Sequence, residues 1–164
     1  MSLGTWFATP NQLEELHLTD VNGNIQALAA SLSRGSQNGL RVLDVSQNKF
    51  SKGPSSVSDV SSLLAGAPNL RSINFAGTQP TVAQLKELLR ALCSNPVVDD
   101  LELNISSNAL GVVGANLIAL EIGQARCISR LSCGDNGFGD KVRQRKRERK
   151  KKRESGFCFI LFFF

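Results

Sequence analysis

The chain has no tyrosine and only one histidine, one tryptophan and one methionine among its 164 residues. With a single imidazole, His17, every Ser-His-Asp or Cys-His catalytic arrangement would have to use that one side chain. The phrase Leu16-His17-Leu18 places it on the outward side of a strand, where it reads as a surface residue. No Gly-x-x-x-x-Gly-Lys phosphate loop occurs. The four cysteines, Cys93, Cys127, Cys133 and Cys158, contain no Cys-x-x-Cys pair. With one histidine, that excludes the usual zinc ligand sets, and the thiols read as small, reduced core residues. There is no run of about 20 apolar residues to cross a bilayer. The segment from Met1 to Leu13 lacks the charged start and apolar centre of a secretory signal. No cofactor, no metal and no enzymatic activity are expected.

A net positive charge is missing from most of the chain as well. Residues 1–140 carry 9 Lys/Arg against 12 Asp/Glu, a net of −3, whereas residues 141–164 carry 10 against 2, a net of +8. The overall +5 therefore belongs to a tail and not to the fold. With 41% apolar and 20% charged residues, the remainder suits one globular domain.

What is present is repetition. The apolar phrase Leu-x-x-Leu-x-Leu, with substitutions, recurs at Leu13–Leu16–Leu18, Leu40–Leu43–Val45, Leu70–Ile73–Phe75, Val98–Leu101–Leu103 and Ile128–Leu131–Cys133. Successive starts lie 27, 30, 28 and 30 residues apart. Each phrase predicts a short strand with alternate residues facing inward. Asn48 and Asn136 fall eight residues after their starts, Thr78 and Val21 hold the same place in two other units, and Asn108 comes ten after its start. The fourth unit thus carries two extra residues, and its strand reads Leu101-x-Leu103-x-Ile105. A buried amide at this turn, at Asn48, Thr78 (as a hydroxyl), Asn108 and Asn136, can satisfy backbone groups the turn leaves unpaired.

After each turn comes helical spacing. The predicted stripes are Ile25, Leu28 and Leu32 after Asn24; Val60, Leu63 and Leu64 after Ser58; Leu85, Leu88, Leu89 and Leu92 after Thr81 as N-cap; and Val113, Leu117 and Leu120 after Gly111. Ala67-Pro68 and Asn95-Pro96 end two of these helices. The fold expected is α/β: a leucine-rich repeat solenoid of the ribonuclease-inhibitor-like kind, strand plus helix per repeat, with about five repeats. Its divisions are 1–12, an N-terminal lead-in; 13–140, the solenoid, read as a fragment of a longer array; and 141–164, a basic and then Phe-rich tail, expected to be disordered or non-native.

In such a solenoid the strand face turned away from the helices is the natural partner surface. The residues predicted to offer partner contacts there are Glu15, His17, Asp44, Asn74, Asp100, Glu102 and Arg130, with Asp100 and Glu102 on one strand face. The surface is polar, mildly acidic and free of aromatics. Arg130 is its one side chain of the kind that dominates interface energetics. The acidic trio Asp99, Asp100 and Glu102 reads as a solvated or partner-facing patch, and Asn104-Ile105-Ser106 as strand and not as a used glycosylation site.

From Leu70 to Asp140 the sequence resembles the middle of the repeat domain of the CARMIL family, membrane-associated regulators of actin capping protein that also link to myosin-I. The features that carry the resemblance are the Ser94-Asn95-Pro96 turn after a leucine-rich helix, the lengthened strand Leu101–Leu110, and Leu131–Asp140 with its Asp-Asn-Gly turn. A weaker match reaches back to about Leu13. The resemblance implies a protein-interaction scaffold in the cytoplasm, at the cytoskeleton or the cell cortex beneath the plasma membrane. It also implies actin-regulatory partners, capping protein and myosin-I, for the full-length family member, in actin-based cell migration. The family's pleckstrin-homology-like domain, dimerising segment and capping-protein-binding motif have no counterpart in these residues. The binding activity is therefore carried over to no residue here. Other intracellular repeat proteins, an inhibitor or an innate-immune sensor's repeat domain, are the alternative.

The tail changes character at Lys141. Residues 141–153 include ten basic side chains, and Phe157–Phe164 is wholly apolar with five phenylalanines. It could hold an anionic membrane surface, at about 1 kcal/mol per basic residue, or act as a nucleic-acid patch. The favoured reading is a stretch foreign to the fold, such as translated intron or an early alternative end, because composition, repeat and family resemblance all change at one place. Nucleic acid is not an expected partner, and peripheral membrane contact is left open through the tail.

Overall fold

A computed structural model describes residues 13–21, 25–34, 39–51, 57–123, 125, 127–139 and 161–163, without side chains at 26, 28, 33, 34 and 161–163. The lead-in 1–12, Asn24, the Leu28 side chain and tail residues 140–160 lie outside that description.

Each apolar phrase forms a strand: β1 Glu15–His17, β2 Val42–Asp44, β3 Ser72–Asn74, β4 Leu101–Asn104 and β5 Ile128–Ser132. Between them run α1 Ile25–Arg34, α2 Ser58–Gly66, α3 Val82–Ser94 and α4 Gly111–Glu121. The strands are all parallel and pair in chain order. Strands in that order need a crossover between every neighbouring pair, and the helices supply it. The helices pack along the chain in the same sequence, α1 on α2, α2 on α3 and α3 on α4.

The strand period of two builds the core from rows. Leu16, Leu43, Ile73, Leu103 and Leu131 are register partners across the sheet, and all are buried. Val45, Phe75, Ile105 and Cys133 form the next buried row, and Phe50 packs on Phe75 with ring centroids 5.9 Å apart. Facing them are Ile25, Ala29 and Leu32 of α1, Val60, Leu63 and Leu64 of α2, and Leu85, Leu88, Leu89 and Leu92 of α3. Each such leucine contributes about 1.5–3 kcal/mol on burial.

Local chemistry fixes the helix ends. Thr81 Oγ1 accepts from the Gln84 N–H at 3.2 Å, while Gln84 Oε1 accepts from the Thr81 N–H at 2.8 Å, a reciprocal cap. Gln84 Nε2 also donates to the Ser51 carbonyl at 2.8 Å, tying α3 to the preceding repeat. At the far end of α3, buried Asn95 donates to the Leu64 and Ala67 carbonyls, each at 2.9 Å. Those are orphan groups at the end of α2, so the Asn95-Pro96 turn stops one helix and caps its neighbour. α2 lacks any side-chain cap; Val57 stands at its N-cap.

Two sequence expectations need correction. The α4 stripe is only in part the predicted one: Leu117 is partly buried against the core, but Val113 and Leu120 are 66% and 64% exposed, and the buried positions are Gly114, Ala115 and Ile118. This helix is apolar around most of its circumference, so periodicity offers no contrast from which to read its phase. Gly114 lies so close to Leu110, the N-cap residue of the same helix, that an added Cβ would lie 2.4 Å from the Leu110 Cβ. Asp100 does not share a strand face with Glu102. It precedes β4 with φ 52°, exposed, where the two extra residues of this unit are taken up. Beyond the undescribed residues, Leu161–Phe163 forms β6, parallel to β5, with Leu131 opposite Phe162. An edge strand presents unpaired backbone groups, and an apolar, β-prone segment satisfies them.

Candidate interaction face

The register brings six of the seven predicted contact residues into two rows on the sheet face opposite the helices. One row is Glu15, Val42, Ser72, Glu102 and Arg130; the other is His17, Asp44, Asn74, Asn104 and Ser132. Asp100 stands outside both.

The rows are internally paired. Arg130 Nη1 donates to Glu102 Oε1 across β5 and β4. His17 Nε2 and Glu15 Oε2 are 3.4 Å apart, both well exposed. Asn74 Nδ2 donates to Asp44 Oδ2 at 2.9 Å, and the Ser46 N–H donates to Asp44 Oδ1 at 2.9 Å. Burial pushes the Asp44 carboxyl up, but the hydrogen bonds from Ser46 and Asn74, with His17 nearby, outweigh it and hold the group below its ordinary value. Two further exposed pairs line the strand entrances, Arg41 Nη1 to Glu14 Oε2 at 3.6 Å and Arg71 Nη1 to Asp99 Oδ1 at 2.7 Å. Exposed pairs of this sort contribute about 0–1 kcal/mol each. Their consequence here is a polar surface in which a few paired acidic and basic side chains stand among uncharged ones.

Asn104 belongs to this face and was not named for it. Asp44, Asn74 and Asn104 lie 30 residues apart, and each accepts from the N–H two residues on, at 2.9, 3.1 and 3.0 Å. An Asp or Asn at that fixed spacing, ending a strand, was the available signal.

Behind the face, the turn residues Asn48, Thr78, Asn108 and Asn136 are 2%, 0%, 3% and 2% exposed. Asn48 Nδ2 donates to the carbonyls of Val45 and Ser46 at 3.0 Å and of Leu18 in the preceding unit, and Asn48 Oδ1 accepts from the Val21 N–H at 3.1 Å. Asn108 repeats the arrangement, donating to Ile105 and Phe75 at 3.0 and 2.9 Å and accepting from the Gln79 N–H at 2.7 Å. Asn136 does so again, donating to Cys133, Gly134 and Ile105 at 2.9, 3.0 and 2.9 Å. Thr78 has one donor, used on Phe75 at 2.8 Å. The residue before each of these four turn positions, Gln47, Gly77, Ser107 or Asp135, and Asp20 before Val21 at the same place in the first unit, has a left-handed backbone with φ between 50° and 68°. Only Gly77 takes that conformation without steric cost.

No group of three or more metal-ligating side chains occurs among the described residues, and no helix there is long and apolar enough to cross a membrane.

Parallel strand–helix units, stacked in chain order and joined by buried turn amides, define a repeat protein whose broad exposed surface is its sheet. The C-terminal domain of tropomodulin from Caenorhabditis elegans shares this fold, with TM-score 0.58 and 17% identity, over 88% of this chain and 90% of that one. No family model matches the sequence. Protein CARMIL of Dictyostelium discoideum is 30% identical over 139 residues, 84% of this chain and 13% of that protein. Capping protein, Arp2/3 and myosin-I linker protein 2 of Mus musculus is 32% identical over 139 residues, and linker protein 3 of Homo sapiens 30%. This similarity over 84% of the chain supports a relationship to the CARMIL family. It spans about a tenth of the length of the curated relatives it matches.

Proposed function

We propose that residues 13–140 are a leucine-rich repeat segment, ribonuclease-inhibitor-like, of a CARMIL-type regulator of actin capping protein, and that it acts by binding proteins and not by catalysis. The reading rests chiefly on the similarity to CARMIL proteins over 84% of the chain. The parallel order and the stacked turn amides support the repeat assignment. The setting is the cytoplasm, at the actin cytoskeleton or cell cortex.

The partner surface is the paired sheet face. Its charges are fixed by neighbours, so a partner meets a preorganised pattern and loses little side-chain entropy there. Candidate partners are those in the relatives' names: capping protein, the Arp2/3 complex and myosin-I. The test is surface-immobilised binding of the purified chain to each of the three, at low and at physiological salt. Binding to at least one, weakened by Glu102→Lys and by raised salt, is expected. No binding to any of the three, or binding indifferent to Glu102→Lys, overturns the assignment of this face.

A further inference from the structure

Cys93 lies in the last turn of α3, with its residue exposed, and Cys127 lies in the approach to β5, buried. They are 34 positions apart in sequence, yet the fold sets them side by side. Cys127 Sγ is 3.9 Å from the carbonyl oxygen of Leu92, the residue before Cys93. The ends of α3 and α4 are drawn together at the same place, where Arg90 Nε meets Glu121 Oε1 at 3.3 Å. The nearby Cys93 thiol lowers Cys127 to about 7, and Cys127, with burial and the charge of Glu121, raises Cys93. One sulfur of the pair is thus held as the better nucleophile and the other as its proton-bearing partner. The third described cysteine, Cys133, is buried in the core row beneath the sheet.

We propose that Cys93 and Cys127 are a reversible redox pair, closed by hydrogen peroxide into a disulfide that joins the end of α3 to the approach of β5. The Cys127 sulfur attacks one peroxide oxygen; the S–O bond forms, the O–O bond breaks, and the departing hydroxide takes the Cys127 proton and becomes water. The Cys93 sulfur then attacks the sulfenic sulfur of Cys127; the S–S bond forms, the S–O bond breaks, and hydroxide leaves with the Cys93 proton as a second water. The protein loses two electrons and two protons, and the peroxide gains them. A small-molecule dithiol reverses the reaction. Closure would staple two consecutive repeats on the helical side and leave the sheet face untouched.

Trypsin separates the two cysteines, because Arg90, Arg126 and Arg130 bound the peptides 91–126 and 127–130. The experiment treats the native full chain with hydrogen peroxide, blocks remaining thiols, digests it and reads the peptides by mass spectrometry. Expected are a linked 91–126/127–130 species two hydrogens lighter than its parts, its loss after dithiothreitol, its loss in Cys93→Ser, and its persistence in a Cys133→Ser, Cys158→Ser variant. Cys93 is exposed, so its serine variant should keep the native circular dichroism and serve as the folded control. Absence of the linked species from native wild-type chain overturns the proposal. So does an equal yield from chain oxidised in denaturant, where pairing among four cysteines is by chance.

Discussion

Asn108 and Asn136 converge on one carbonyl: both side-chain amides donate to the Ile105 oxygen, at 3.0 and 2.9 Å, while the Asn136 Oδ1 accepts from the Asn108 backbone N–H at 2.9 Å. Two consecutive repeats are thereby joined through two hydrogen bonds, Asn136 Nδ2 to Ile105 and the Asn108 N–H to Asn136, in a buried site. Asn108 extends the same pattern back to Phe75 and Gln79. The chain thus carries, behind its exposed face, a polar seam running from repeat to repeat.

Asn108→Ala tests the seam energetically. Phe75 keeps a donor in Thr78, and Ile105 keeps one in Asn136. The Gln79 N–H loses its side-chain acceptor. The expected loss is about 1–2 kcal/mol, the cost of a hydrogen bond lost at a part-buried donor that water can partly replace. Asn108→Asp should cost more, since it removes both donors and directs a carboxylate at carbonyl oxygens. Urea titration of each variant measures the difference.

The capping box at α3 predicts a smaller effect. Thr81→Ala removes the acceptor for the Gln84 N–H and should destabilise by about 1 kcal/mol. Thr81→Ser should be close to neutral. Thermal or chemical unfolding of the two variants separates loss of the cap from loss of the threonine methyl.

The phase of α4 is decided by a pair of substitutions. Ile118→Ala should cost about 2–4 kcal/mol, because its side chain is 5% exposed. Val113→Ser, at 66% exposure, should change stability by no more than about 0.5 kcal/mol. The reverse ranking would restore the stripe expected from sequence.

Acid sensitivity follows from Asp44. Its carboxyl is held below the ordinary value in the folded state, so its contribution to stability is complete above the unfolded carboxylate pKa. That contribution is lost as pH falls through the lower folded value. Asp44→Asn should flatten the stability profile in that acidic window and change the slope little near neutrality. Unfolding midpoints of the two proteins across pH 2–7 provide the check (on the ordinary carboxylate scale of about 4).

Periodic features were legible in the sequence and aperiodic ones were not. The buried rows through Leu43, Ile73 and Leu103 could be read because strand period and repeat spacing agree. The turn residues Asn48, Asn108 and Asn136 could be read because a polar residue recurs at a fixed place in an apolar setting. Thr81 was recognisable as a cap from the helix it precedes. α4 was misphased because Val112, Val113, Leu117, Ile118 and Leu120 present apolar groups in nearly every direction. Asp100 was misplaced because the spacing does not say where two extra residues are absorbed. The place of Asn104 on the face depends on the two-residue slip of its unit and on a bond from the Ser106 N–H, neither of which is local to its own position in the sequence. The left-handed residue before each turn position escaped notice because only one of the five, Gly77, is glycine. The proximity of Cys93 to Cys127 has no local signal at all; it arises from stacking one repeat on the next.

Coupling of the repeats through buried side-chain amides is tested most directly by amide hydrogen exchange on Asn136→Ala. The Asn108 N–H is bonded to the Asn136 side chain, so its protection should fall in the variant while the Leu43 and Ile73 amides in the middle of the sheet stay protected. Unchanged protection of the Asn108 N–H would contradict the seam as the element that joins the repeats.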